Sequence, residues 1–398
     1  MAKRTWTLLN VAEDQFVEKL ELTSKDVDGV PEGLSIIKRR LYGGMRDGVD
    51  VIEVDNGAFR FVVVPTRGMG LWRATLGEVQ LGWQAPVKGG PIHPSLVRLE
   101  AADGLGWMDG FDELLARCGL ESNGSPVFNE AGVLRYPLHG KIQNIPAHQV
   151  EVSIDDSGEI TISGVVDESR LFCGTVDDAE LFGKKLRLTT SYTTKPGEPG
   201  VRIVDTVSNL SAVRGEFQMI YHINVGTPLV NAGSKLVAPV AKVAPRFLVE
   251  AEAIPTWDTY PAPAVGGHSA CLYHDLLADA SGRTHVLLHN AEATQGVSIF
   301  LNKNQLPCFT QWKNVQAVED GYVTGLEPGT NFPNERPFEA KQGRVVTLQG
   351  GESRTFEFAI EAHADAKSIA AAKKDVLKLQ AGREPEVLHE PNPEWSIT

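Results

Sequence analysis

Residues 149–166 read QVEVSIDDSGEITISGVV. Val150, Val152 and Ile154 alternate with polar residues, and Ile160 and Ile162 resume the alternation beyond the Asp-Asp-Ser-Gly at 155–158. Side chains of an extended chain point to opposite faces in turn, so this pattern gives each strand one buried and one wet face. Asp, Ser and Gly supply the turn between them, through local side-chain hydrogen bonds and a tolerance of positive φ. The pattern recurs on both sides. VIEVDNGAFRFVVV (51–64) is two β-rich runs joined by Asp55, Asn56 and Gly57, and Asn-Gly between apolar runs is a strong hairpin signal. Downstream, Leu186, Leu188, Thr190 and Tyr192 share one parity, followed by a Pro/Gly turn and then Val201 and Ile203. EFQMIYHINVG (216–226) and RVVTLQGGESRTFEFAIEAH (344–363) complete the series. Many strands separated by turns predict an all-β sandwich or barrel.

Helices are few in this reading. DGFDELLARCGL (109–120) is expected to form a short one, with Asp109 as N-cap and Gly119 past its end. An acidic first turn then accounts for Asp109, Asp112 and Glu113, which with His93 also have the composition of a metal site. In 365–382, Ile369, Ala372, Val376 and Leu379 lie on one helical stripe, with Asp365 as cap and Gly382 as terminator. The expected organisation is an N-terminal decoration over 1–35, one β-domain over 36–363 that holds the site, and a C-terminal helix with an extended, proline-rich tail over 364–398.

The balance of charges narrows the partners. The chain of 398 residues carries a formal charge of -13, which lacks the cationic surface that nucleic acid binding requires. No apolar run reaches the roughly 20 residues of a membrane helix, and the first residues lack a signal-peptide core. Four scattered cysteines give neither a disulfide framework nor a zinc ribbon. These features predict a cytoplasmic protein acting on a small polar molecule, with no nucleic acid or membrane partner.

Three stretches break the strand pattern with polar residues: YPLHGKIQNIPA with His139, QMIYHINVGTP with His222, and QWKN followed by GLEPGTN with Gln311, Trp312 and Glu327. Singly, each histidine reads as a satisfied core residue and Glu327 as a turn carboxylate. Together, two imidazoles and a carboxylate at strand ends suit general acid–base work near pH 7, and they also suit a metal site.

In their order, LHG (138–140), YHINVG (221–226) and GLEP (325–328) resemble the signature pieces of the galactose mutarotase-like proteins, the aldose 1-epimerases. PTRGMGLWRA (65–74), LGW (81–83) and GWMDGFDELLARCGLESNG (106–124) resemble a divergent, poorly characterised branch of them. The resemblance implies a large antiparallel β-supersandwich with an open cleft for a monosaccharide or sugar derivative, and no cofactor. It implies an isomerase that interconverts sugar anomers by acid–base ring opening. Glu327 would be the base at the anomeric hydroxyl, His222 the acid at the ring oxygen, and His139 a partner of that oxygen. The alternatives on this fold are another carbohydrate epimerase, a lyase, or a carbohydrate-binding protein without turnover.

The Asn-Arg pair that grips the sugar in better-studied mutarotases is missing next to His139, and Arg67 is the candidate in its place. Asp258 is the candidate for the family's intervening Asp, and Gln311 for its Gln. Trp312 and Trp107 are expected to line the cleft. Lys141 and Lys313 flank presumed site residues, which would suit an acidic or phosphorylated sugar, or two solvated lysines.

Overall fold

The computed structural model describes residues 3–26, 33–87, 89–169, 172–173, 180–181 and 185–397. Part of the expected N-terminal decoration, residues 27–32, lies outside them. Two large sheets dominate, one of ten strands and one of fourteen, almost entirely antiparallel. Their facing sides form one large apolar core, to which Ile52, Phe61 and Leu326 contribute from the larger sheet and Val152, Ile203 and Phe358 from the smaller. This is the supersandwich expected for the chain.

The hairpin expected at 149–166 is present. Gln149–Asp155 pairs with Ile160–Ser169, with Val152 opposite Ile162. Val150, Val152 and Ile154 are all buried, as the alternation requires. Asp50–Asn56 and Phe59–Val64 form the second predicted hairpin, with Gly57 at φ 93°. The helix Ala366–Gln380 is capped by Asp365, whose carboxylate accepts from the Ser368 amide at 2.7 Å, and it buries Ile369, Ala372 and Val376. Among the described residues no helix is long and apolar enough to cross a membrane.

Three expectations change. Residues 109–120 do not form a helix. A 3-10 turn covers Gly106–Gly110, and Leu115–Leu120 is a strand beside Gly215–Gly226. All six residues of that strand are buried, so its sequence shows no alternation and mimics a helix in pattern. The N-terminal residues are not a decoration: Lys3–Asn10 pairs with Gln149–Asp155 in one sheet, and Leu20–Thr23 pairs with Leu34–Arg40 in the other. The tail is not merely extended: Glu386–Val387 adds a parallel strand beside Val240–Pro245.

One buried ion pair ties the sheets together. Arg117 of the larger sheet meets Asp205 of the smaller through Nε–Oδ2 at 2.5 Å and Nη2–Oδ1 at 2.9 Å. Its remaining donors reach the Tyr192 hydroxyl, Thr190 Oγ1 and the Met69 carbonyl, which satisfies a guanidinium fully withdrawn from water.

Candidate active site

The site stands on the outer face of the larger sheet, where Cys308–Asn314, Val323–Gly329 and Gly215–Gly226 run side by side. Ile223 pairs with Leu326 and Ile220 with Gly329, a register that sets His222 across from Glu327. Thr310 is the partner of Glu327 on its other side, which brings Trp312 to the same face. His222 Nε2 lies 3.2 Å from Glu327 Oε1. Gly325 makes room for them: a Cβ there would stand 2.5 Å from Glu327 Oε1 and 2.9 Å from His222 Cε1. The Gly of GLEP is therefore needed for what its absent side chain would strike, and Glu327 sits within a strand rather than in the turn.

Asn224 fixes the tautomer of His222. Its amide nitrogen donates to the carbonyls of Glu113 (2.9 Å) and His222 (3.0 Å). Its oxygen, 2.5 Å from His222 Nδ1, is therefore an acceptor, so Nδ1 carries a proton. Burial then decides the charge. It pushes Glu327 up to about 8, against the weaker opposing pull of Arg246. It lowers His222 to about 4, with the Asn224 hydrogen bond acting the other way. Both shifts favour the uncharged forms, in which a carboxyl proton on Glu327 faces the lone pair of Nε2. This differs from a carboxylate facing an imidazolium, because withdrawal from water penalises both charges.

His139 joins the pair from a loop. It holds φ at 57°, a left-handed conformation uncommon for a residue with a side chain. Backbone bonds fix it there: its amide donates to the Gly124 carbonyl (2.9 Å), and its carbonyl accepts from the Gly119 amide (3.1 Å). Gly140 follows because a Cβ would meet the carbonyl oxygens of Ser122 and Gly119 at 2.1 and 2.3 Å. The imidazole lies 5.3 Å from that of His222, centroid to centroid, and its Nδ1 is shielded without a partner. Burial, the proximity of His222 and the charge of Arg246 hold it well below the usual histidine range.

A cavity of about 300 Å3 opens over these groups, with Phe111, Trp312, Leu138 and Cys271 among its apolar walls and Arg246 and Glu250 on its rim. That is at the small end of ligand pockets. Larger hollows exist elsewhere on the surface. Trp107 packs behind the imidazoles, 4.7 Å from the His139 ring and 6.0 Å from that of His222, and supports the wall rather than lining it.

Several sequence candidates lie elsewhere. Arg67 is fully buried, bound to the Glu113 carboxylate, to Asn144 Oδ1 at 2.8 Å and to the carbonyls of Gly110 (2.8 Å) and Ile92 (3.2 Å). It fixes the turn before Phe111 and cannot meet a substrate. Gln311 points to the opposite face of its strand, bonded to the Trp257 carbonyl, the Tyr260 hydroxyl and His274. Lys313 shares that parity and donates to the carbonyls of Thr256 and Thr259, each at 2.8 Å. Asp258 accepts from the Thr259 hydroxyl and lies outside the cavity. Lys141 lies outside it too, near enough to Glu168 to favour that carboxylate. Glu113 belongs to Arg67, and Asp112 to the indole N–H of Trp72 at 2.7 Å, rather than to a helix turn. Among the described residues no three His, Cys, Asp or Glu side chains converge as a metal site.

Sequence reasoning missed Arg246, Asn224 and Glu250. Asn224 was findable, since it shares strand parity with His222. Arg246 follows a strand with no local signal. Its Nη2 is 2.5 Å from Ser125 Oγ while Nε is shielded and unpartnered, which leaves a cationic donor at the cavity.

Residues 46–362 match the family described as "Domain of unknown function (DUF4432)". The chain belongs to that family. The crystal structure of a "putative aldose 1-epimerase" from Klebsiella pneumoniae subsp. pneumoniae MGH 78578 is 32% identical over 98% of this chain and 99% of that one, with a TM-score of 0.91. A galactose mutarotase-like protein from Clostridium acetobutylicum is 15% identical over 83% of this chain and 99% of its own, with a TM-score of 0.55. Galactose 1-epimerase from Lactobacillus acidophilus NCFM is 12% identical over 84% of this chain and 100% of its own, with a TM-score of 0.52. At such identities the last two show the fold alone, and the DUF4432 chain thus has the galactose mutarotase-like architecture. No curated protein matches it.

Proposed function

We propose that this DUF4432 protein is an aldose 1-epimerase-like isomerase that interconverts the anomers of a sugar by acid–base ring opening. The observation that carries this reading is the direct contact of His222 Nε2 with Glu327 Oε1 at 3.2 Å, in a small aromatic-walled cavity. Such a pair holds one transferable proton. Ring opening needs one proton taken from the anomeric hydroxyl and one given to the ring oxygen as the C1–O5 bond breaks. The resulting aldehyde turns about C1–C2 and closes on its other face, which returns both protons.

A sugar that inserts its anomeric hydroxyl and ring oxygen between the two groups replaces their mutual hydrogen bond. With the proton on Glu327, the carboxyl serves the ring oxygen and Nε2 of His222 takes the hydroxyl proton. With the proton moved to His222, the roles are those the resemblance implies, Glu327 as base and His222 as acid. The two forms differ by the position of one proton, and closure runs the chosen form in reverse. His139 and Arg246 supply donors to the sugar oxygens, and Trp312 offers a flat apolar wall to C–H groups. Positioned acid and base groups each give on the order of 10²–10⁴-fold, which suits a reaction that already proceeds slowly in water.

The test is anomeric exchange followed by NMR over a panel of aldoses and uronates, with the parent protein and with Glu327→Gln. Acceleration by the parent, reduced at least ~10²-fold in the variant, is the expected result. Equal acceleration by both proteins would remove Glu327 from the chemistry. No acceleration of any sugar by the folded parent would overturn the reading.

A further inference from the structure

Beyond Phe111, on the same face of the larger sheet, lies a second cavity of about 440 Å3. Its lining includes Arg46, Trp72, Arg73, Gln80, Trp83 and Asp112, residues that the proposed isomerisation does not use. The Arg73 guanidinium lies 4.3 Å over the Trp72 ring, and the Nε of Arg46 donates to the Tyr42 carbonyl at 3.3 Å. Among the described residues neither guanidinium has a salt-bridge partner. That is notable on a chain with a formal charge of -13.

The rest of the wall is polar and planar. Asp112, in the lining, accepts the Trp72 indole N–H through Oδ2 at 2.7 Å. Burial, and then the neighbouring Glu113, raise this carboxyl to about 7 against the Trp72 hydrogen bond and the charges of Arg67 and Arg73, so it opposes an incoming anion less than an ordinary aspartate would. Gly90 lets the loop close onto it, since a Cβ there would stand 2.2 Å from Asp112 Oδ2. The indole nitrogen of Trp83 is shielded and has no partner. Flat indoles, side-chain amides, a hydrogen-bonded carboxyl and two guanidinium groups that make no salt bridge among the described residues together have the chemistry to grip a pyranose with a negative substituent.

We propose that this second cavity is a binding site for an anionic monosaccharide, a sugar bearing a carboxylate or a phosphate, held by Arg46 and Arg73 and set against Trp72 and Trp83. The site is distinct from the catalytic cavity. Phe111 stands between them, 4.8 Å from the Trp83 ring and 5.1 Å from that of His222. Binding here does not depend on isomerase turnover.

The test is calorimetric titration of the intact protein with glucuronate, glucose 6-phosphate, glucose and inorganic phosphate. It is repeated with Arg46→Ala, Arg73→Ala, Trp312→Ala and Glu327→Gln, each checked for folding by circular dichroism. The expected result is 1:1 binding of a charged sugar at least ~10-fold tighter than glucose or phosphate alone, weakened ~10-fold or more by either arginine variant and unchanged by the other two. The two charged sugars distinguish carboxylate from phosphate. Three results would each overturn the proposal: no preference for a charged sugar, phosphate alone binding as tightly, or binding lost with Trp312→Ala but kept with Arg73→Ala. Because Glu327→Gln is included, a failed isomerase assay leaves this outcome readable.

Discussion

His222 Nε2 and Glu327 Oε1 lie 3.2 Å apart while the other ring nitrogen is 2.5 Å from Asn224 Oδ1. These contacts define a buried acid–base pair with one proton to share. Below about 4 His222 also takes a proton, and above about 8 Glu327 loses its own. The kcat/KM for anomeric exchange is therefore expected to be bell-shaped, with limbs near these values that belong to the pair as a unit. The 15N shifts of His222 between pH 5 and 7, read as roughly neutral imidazole with hydrogen on Nδ1, check the assignment. An imidazolium in that range would contradict it.

Asn224→Asp puts a carboxylate beside Nδ1. The charged imidazole becomes easier to form, so the acid limb should move to higher pH. A pH–rate profile of the variant with an unmoved acid limb would show that this limb does not report His222.

Glu327 also sets a stability prediction. Its folded pKa lies above the unfolded value, so between the two the native state binds the extra proton and stability falls as pH rises toward about 8. His222 has the opposite sign, since its folded pKa is depressed to about 4, and it gains stability as pH rises from there toward its unfolded value. Above that value only the glutamate effect remains. Glu327→Gln should therefore be more stable than the parent near pH 8, by on the order of 1–3 kcal/mol, with the gain fading toward pH 5. Chemical denaturation at the two pH values measures it, and an equal difference at both would rule the mechanism out.

Gly325→Ala is expected to fold and to lose exchange activity by at least ~10²-fold, because its methyl group occupies the space of the His222–Glu327 contact. Retained activity in a folded variant would mean that the pair is not the site of chemistry.

Arg67 and Arg246 should separate cleanly. Arg67→Ala leaves the buried Glu113 carboxylate without its partner, a loss of about 3–5 kcal/mol in denaturant unfolding. Arg246→Ala should fold normally and raise KM more than it lowers kcat. A normal KM for Arg246→Ala would move substrate recognition elsewhere.

Alternation at residues such as Val150 and Val152, the Asn-Gly turn at 56–57 and the capped stripe of 365–382 were legible because each is a local rule: parity, turn chemistry, helical period. His139, His222 and Glu327 were legible as an ordered set of short motifs. The strand Leu115–Leu120 was not, since burial on both faces erases the alternation that marks a strand. Gln311 and Lys313 neighbour Trp312 in sequence, but they have the opposite strand parity and are bonded on the other face of the sheet. The sequence alone thus determined the class of fold and the chemical types at its centre. Only the tertiary structure showed which of two arginines lines the cavity and how burial shifts the two central groups. Both depend on burial and on partners as far away in sequence as Glu113 is from Arg67, and no local pattern encodes the dielectric around a side chain.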